Sequence, residues 1–176
     1  MRMVKSTMKK LLGLILVLAL CCAPALAEVG LTDFSTVDMN GKPVTEAVFA
    51  DYDLTVVRIW GTWCGYCVYD MPELIQLKTM LPENVNLITI CDDAADEPEL
   101  AAAILNTVGA TFQTLVPSPE IYDQLLNSVY IFPTTYFLDS NGVSVGEPID
   151  GVISMEGDGA ELYAGVVQEV LNMLEE

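Results

Sequence analysis

Apolar residues fall into short runs separated by turn dipeptides, and the period within each run predicts the element it forms. Asp33 to Asp38 alternates weakly, Asn40-Gly41 accepts the positive φ of a tight turn, and Lys42 to Thr45 supplies a return strand. Thr55-Val-Val-Arg-Ile-Trp60 is rich in β-branched residues and reads as a buried strand. It ends at Gly61, and a helical pattern follows from near Cys64 to about Leu81, with apolar residues at Met71, Leu74, Ile75, Leu77 and Met80. Pro72, which lacks an N–H and crowds the preceding turn, is predicted to kink that helix. Asn86 to Ile90 reads as a strand, Glu97 to Thr107 as a helix closed by Gly109, and Thr111 to Leu115 as a short strand. A helical turn or two is predicted from Pro119 to Leu126. Thr134 to Leu138 is a strand, Asn141-Gly142 a turn, and Val143 to Val145 its partner. Glu161 to Leu174 closes the chain as an amphipathic helix, with Leu162, Val166, Val170 and Met173 at helical spacing. This order, a hairpin, a βαβ crossover unit, then a β-hairpin and a helix, predicts an α/β sheet covered by helices on both faces.

The first 27 residues follow a different pattern. A basic start ending in Lys9-Lys10, an apolar run from Leu11 to Leu20, and small residues at Ala25 and Ala27 are the three zones of a secretory signal. Cleavage after Ala27 divides the chain into a signal peptide, 1–27, and one domain, 28–176, large enough to bury a core. Two other readings remain open: an uncleaved anchor, since Leu11 to Ala27 is uncharged and approaches the roughly 20 apolar residues that span a bilayer, and a lipoprotein modified at Cys21 or Cys22. All three place the body outside the cytoplasm, in the periplasm or on the outer face of the membrane, where disulfides are tolerated.

Charge sharpens this division. The 176 residues carry 25 Asp and Glu against 7 Lys and Arg, with no His, for a formal net charge of -18. Four of the cations lie in the leader, so the body keeps Lys42, Arg58 and Lys78 against all 25 acids, or -22. Nucleic-acid binding is excluded, because that affinity comes from Lys and Arg displacing counterions. The missing imidazole excludes Ser-His-Asp catalysis and His-based zinc sites.

Beyond the leader, three cysteines remain: Cys64, Cys67 and Cys91. Trp63-Cys64-Gly65-Tyr66-Cys67 lies between a buried strand and the first turn of a helix. A zinc site would need two further ligands and only Cys91 is left, so no metal is expected. A static disulfide would close a loop of only four residues, which constrains the unfolded chain little. The redox reading explains the spacing, since a separation of three brings the sulfurs within one helical turn. Cys64, at the helix start, faces unpaired N–H groups and the positive end of the helix dipole, which favour thiolate. Cys64 is therefore the expected nucleophile and Cys67 the resolving thiol.

Trp60-Gly-Thr-Trp-Cys-Gly-Tyr-Cys67 resembles the active-site segment of thioredoxin-fold proteins, and most of all the TlpA/ResA-like extracytoplasmic thiol-disulfide oxidoreductases. Phe132-Pro-Thr-Thr-Tyr-Phe-Leu-Asp139, followed by Asn141-Gly142, resembles the second signature of that family. Asp33 to Lys42 resembles its N-terminal hairpin, and Pro82 to Gly109 its central βα insertion. The resemblance implies a thioredoxin-like fold, a central mixed β-sheet flanked by helices, in which Pro133 is cis, lies against the disulfide and leaves a backbone edge for a substrate strand. It also implies a carboxylate near the active site at Asp70, which could exchange protons with Cys67 or be an ordinary solvated acid. Thioredoxin has a buried acid where this chain has Arg58. The guanidinium could lower the thiolate pKa, or pair with Asp70 or another carboxylate and stay electrostatically quiet. Trp63, Gly65, Tyr66 and Phe132 form the rim of the site, and Trp60 is assigned to packing. Cys91 reads as a buried core residue, with a resolving or regulatory thiol as the alternative.

The resemblance implies an exported protein disulfide reductase. It needs no cofactor beyond the Cys64–Cys67 disulfide, acts on protein thiols and disulfides such as those of apocytochrome, and draws electrons from a membrane thiol donor. A monomer is expected. A peroxiredoxin-like antioxidant is the alternative enzyme, but the residues before Cys64 lack the Pro-x-x-x-Thr-x-x-Cys pattern. A non-catalytic thioredoxin-fold binding module at the cell surface is the alternative outside enzymology, and the intact CxxC and Phe-Pro-Thr segments weigh against it.

Overall fold

The computed structural model describes residues 29–175, so the expected signal peptide at 1–27 lies outside the described residues. The strands are β1 Ser35–Asp38, β2 Pro43–Thr45, β3 Leu54–Trp60, β4 Val85–Cys91, β5 Gln113–Val116, β6 Thr134–Asp139 and β7 Ile149–Asp150; the helices are α1 Gly65–Met80, α2 Pro98–Val108, α3 Pro119–Gln124 and α4 Gly159–Leu174. All seven strands form one sheet in the order β2-β1-β5-β4-β3-β6-β7. β3, β4 and β5 are parallel, and β1, β2, β6 and β7 join through antiparallel pairings. This is the thioredoxin-like mixed sheet, with an N-terminal hairpin at β1–β2 and a central βα unit formed by β4 and α2.

The central strand β4 and its neighbour β3 are buried along nearly their whole length because both of their faces are covered. Leu54 and Val56 pack beneath α1 and α4, with Leu74, Leu77, Tyr163 and Val167. Val57 and Ile59 point to the opposite face and meet Ile121, Leu125 and Leu126 from α3 and the turn after it. A third cluster, at the C-terminal ends of β3 and β4, holds Trp60, Cys91, Met71 and both cysteines of the CxxC. The sheet ends in short strands: β2 has three residues and begins with Pro43, and β7 has two residues just after Pro148.

Two expectations require correction. Val143 to Val145 does not form a full strand; it makes isolated bridges, Ser144 to Leu138 and Val143 to Gly30, before the chain turns at Gly146. β6 is held along its length by β3, and on its other side the paired strand is the two-residue β7, which sets Thr134 opposite Asp150. The arm still bonds to β6, through Asp139 N–H to the Val143 carbonyl and Val145 N–H to the Phe137 carbonyl, and the segment from Val29 to Leu31 pairs with it through Ser144 and Gly142. In α4 the buried face is Ala160, Tyr163, Val167 and Val170, whereas Leu162 and Met173 are 43% and 53% exposed. The packed stripe is centred on Tyr163, whose ring lies in the core and whose hydroxyl meets the buried Arg58 and Thr135 side chains. α1 stays helical through Pro72.

Candidate active site

The loop that presents the cysteines begins at Trp60, paired with Cys91 across the parallel β3–β4 ladder. The Thr62 N–H and hydroxyl both donate to the Asp93 carboxylate, which anchors this loop to the segment following β4. The Trp63 indole folds back over Gly61, where an added Cβ would lie 2.6 Å from its nitrogen. Cys64 is the N-cap of α1, and its Sγ accepts the Cys67 N–H at 3.2 Å. Cys64 and Cys67 form a disulfide with Cα atoms 5.2 Å apart. Both are buried, at 6% and 2% exposure, and Cys64 is the nearer to solvent.

Phe132 packs against the cluster containing both cysteines, and its ring lies 4.8 Å from that of Trp63. The Phe132–Pro133 peptide is cis. Pro133 leads directly into β6, the strand beside β3. Trp63, Tyr66, Tyr69, Tyr130, Ile131 and Met155 are exposed apolar side chains on the loops and helix start around the site. Gly65, Tyr66, Tyr69 and Met155 line a shallow apolar groove of about 360 Å³ that opens beside the CxxC. A larger, more polar cleft of about 480 Å³ lies near Asp53, Asn84 and Asp139, at the other end of the sheet and away from the sulfurs.

Beneath the disulfide is a buried polar cluster. Arg58 and Asp70 are 1% and 0% exposed. The guanidinium Nη2 donates to Asp70 Oδ2, forming an ion pair. The two N–H groups of Nη1 are shared among three acceptors: Thr135 Oγ1 at 2.6 Å, the Tyr163 hydroxyl, and the Gly151 carbonyl at 3.3 Å. The Arg58 guanidinium lies 5.5 Å from the Tyr163 ring centroid. Asp70 Oδ1 has no hydrogen-bond partner among the described residues. Burial pushes the Asp70 carboxyl above the usual range, and Arg58 opposes that shift. The sequence left Arg58 open between a free cation and a paired one, and the structure pairs it with Asp70.

Cys91 is a free, fully buried thiol in the cluster that holds the active pair. Burial and the adjacent Asp93 carboxylate push its pKa far up, so it remains a thiol. Among the described residues no group of three or more His, Cys, Asp or Glu side chains could hold a metal ion. No helix among them is long and apolar enough to cross a membrane. Sequence reasoning did not find Tyr163, Thr135, Gly151 or the anchoring role of Asp93. Thr135 could have been found from a β3–β6 register, because it lies opposite Arg58.

No protein-family model matches the chain. It is 30% identical, over 149 aligned positions, to the "Probable thiol:disulfide interchange protein DsbE-2" of Pasteurella multocida (strain Pm70), spanning 75% of this chain and 74% of that protein. It is 28% identical over 130 positions to the thiol-disulfide oxidoreductase ResA of Geobacillus kaustophilus (strain HTA426), spanning 70% and 69% of the two. Among solved structures, the thiol:disulfide interchange protein, thioredoxin family protein from Chlorobium tepidum TLS superimposes with a TM-score of 0.65 at 19% identity, over 82% of this chain and 97% of that one. A secreted Mycobacterium tuberculosis disulfide oxidoreductase homologous to E. coli DsbE gives 0.61 at 19% identity, over 77% and 96%. At such identities the structural likeness shows the fold.

Proposed function

The chain belongs to the thiol:disulfide interchange proteins of the DsbE and ResA type, thiol-disulfide oxidoreductases, and on that premise we propose that it is an exported, monomeric reductase of protein disulfides. The observation that carries this reading is the Cys64–Cys67 disulfide at the start of α1, set against the Phe132–Pro133 loop. In the reduced protein, the Cys64 thiolate attacks one sulfur of a substrate disulfide. A mixed disulfide forms and the other substrate sulfur leaves as a thiolate, which takes up a proton. Cys67 then loses its proton and attacks Cys64 Sγ, so the Cys64–Cys67 bridge closes and the second substrate thiol is released. Two electrons and two protons have passed to the substrate. A membrane thiol donor restores the dithiol.

The roles of the surrounding groups follow from their chemistry. The N–H groups of the first turn of α1 stabilise negative sulfur at Cys64. Asp70, one turn beyond Cys67 with one carboxylate oxygen unpartnered, exchanges the proton that Cys67 must lose. Arg58 is neutralised by Asp70, so no free cation lies under the sulfurs to favour the reduced form, which supports a reductant over an oxidant. Pro133 and Phe132 form the edge on which the substrate backbone is laid, and Trp63, Gly65 and Tyr66 the apolar rim. Signal-peptide cleavage after Ala27 delivers the domain to an oxidising compartment, where substrates such as apocytochrome present cysteine pairs.

Insulin reduction with dithiothreitol, comparing wild type with Cys64→Ser, tests the activity, and equal rates overturn it. The reduction potential tests the direction: a value near about -270 mV fits a reductant, and one near about -120 mV an oxidant.

A further inference from the structure

Arg58 touches more of the site than an ion pair requires. Its Nη2 holds Asp70 on α1, one turn past Cys67. Its Nη1 reaches Thr135, two residues past Pro133, and the carbonyl of Gly151. The N–H of Gly151 in turn donates to the carbonyl of Pro133 at 2.6 Å. Two chains of hydrogen bonds therefore lead from one guanidinium, one toward the cysteine-bearing helix and the other toward the proline wall opposite. The Tyr163 hydroxyl adds a third attachment, from α4.

We propose that Arg58 is a positioning residue for disulfide exchange, a brace that fixes the gap between the Cys64–Cys67 helix and the Pro133 wall where a substrate polypeptide is laid. The proposal rests on the exchange function above. A guanidinium suits this task because its donors lie in one plane in a fixed fork, so α1 cannot rotate against β6 without stretching a bond on one side or the other. A lysine at the same point keeps the charge and the attraction to Asp70 but has no fork to span both walls. The base of the brace is fixed as well, since β3 is bonded along its length to β4 and to β6. A small disulfide needs only the sulfurs. A protein disulfide also needs the gap.

The discriminating measurement is the rate constant of the reduced protein with insulin divided by its rate constant with a small disulfide such as hydroxyethyl disulfide. Arg58→Lys is expected to lower that ratio about fivefold or more, because small misplacements of reacting groups are costly. The double variant Thr135→Val/Tyr163→Phe, which leaves the ion pair in place, is expected to lower it about twofold or more. A ratio equal to that of wild type in either variant, when that variant still melts cooperatively, overturns the brace. Hydrogen exchange reads the brace without any catalysis. Protection of the Gly151 amide is expected to fall about tenfold in the double variant while the amides of β4 keep theirs, and unchanged Gly151 protection overturns the proposal. If wild type reduces insulin no faster than Cys64→Ser, the exchange function fails, and the Gly151 amide still decides whether the brace exists.

Discussion

Arg58 satisfies one oxygen of the buried Asp70 carboxylate, Oδ2, and leaves the other, Oδ1, without a partner among the described residues. Burial therefore outweighs the attraction of the guanidinium and lifts the Asp70 carboxyl above its ordinary value of 3.8. A raised acid binds its proton more tightly in the folded state than in the unfolded one. Its contribution to stability is present below 3.8, declines as the pH rises through the folded value, and is absent above it. Asp70→Asn is expected to remove that decline from urea midpoints measured across acidic pH and to flatten the pH dependence of disulfide exchange. It also strips Arg58 of its counter-charge, at a cost of about 3 kcal/mol near neutral pH. An exchange profile identical to that of wild type returns Asp70 to a purely structural role.

In the proposed mechanism Cys64 and Cys67 have different tasks, and their variants are expected to fail differently. Cys64→Ser should abolish exchange. Cys67→Ser should still form the mixed disulfide but be unable to release it, so adducts with substrate proteins accumulate and are visible on non-reducing gels. Adducts from Cys64→Ser in equal amount would reverse the assignment of nucleophile and resolving thiol.

Cys91 should be silent. In the chain beginning at Glu28, after reduction, two thiols are expected to react promptly with an excess of a chromogenic disulfide at pH 8 and the third only in denaturant, because burial and Asp93 keep Cys91 protonated. Cys91→Ala should leave insulin reduction at the wild-type rate. Three fast thiols in the folded protein would contradict this.

The Thr62–Asp93 contact should show in acid. Burial alone would raise the Asp93 carboxyl, but the hydrogen bonds from Thr62 hold it below 3.8. Its stabilisation is then present above 3.8 and lost as the pH falls through the lower folded value. Asp93→Asn is expected to cost about 1 kcal/mol at pH 7, and the difference from wild type should shrink toward pH 3 in urea titrations. A difference that does not vary with pH would assign the effect to packing.

Partner choice should depend on salt. With Arg58 buried, the exposed cations among the described residues are Lys42 and Lys78, on a body carrying more than twenty acids. Reduction of a basic protein disulfide is expected to slow as ionic strength rises, and that of an acidic one to quicken. Parallel salt curves for the two substrates would remove charge from the account of specificity.

The parts of the site that were readable in the sequence are those written in neighbouring residues. The CxxC after a β-branched run, Asn40-Gly41 and Gly109 act over a few positions, and the structure places all of them where the pattern did. Tyr163 was not readable, since it meets Arg58 from 105 residues away and only the packing of α4 on α1 brings the two together. The stripe Leu162, Val166, Val170 and Met173 held only in part: Val166 and Val170 pack against the core, while Leu162 and Met173 are exposed. Periodicity of aliphatic residues marks an apolar face, but it does not register a tyrosine whose ring is buried and whose hydroxyl bonds to a buried guanidinium. The Val143 to Val145 arm does return beside β6, bonding to Asp139 and Phe137, but it pairs as isolated bridges rather than a strand, and its contact with Gly30 was not readable because Val29 to Leu31 carry no strand pattern of their own.

The two ends of the sheet affect how the protein behaves at high concentration. An edge strand is a template on which another chain can extend the sheet, and the risk grows with the number of free backbone groups in register. Here one edge is three residues long and begins with a proline that has no N–H to offer, and the other is two residues long. Copies of the domain therefore find little backbone on which to stack, and their shared negative charge keeps them apart. The strand lengths thus limit edge-to-edge pairing of the sheet, independently of the chemistry at the sulfurs.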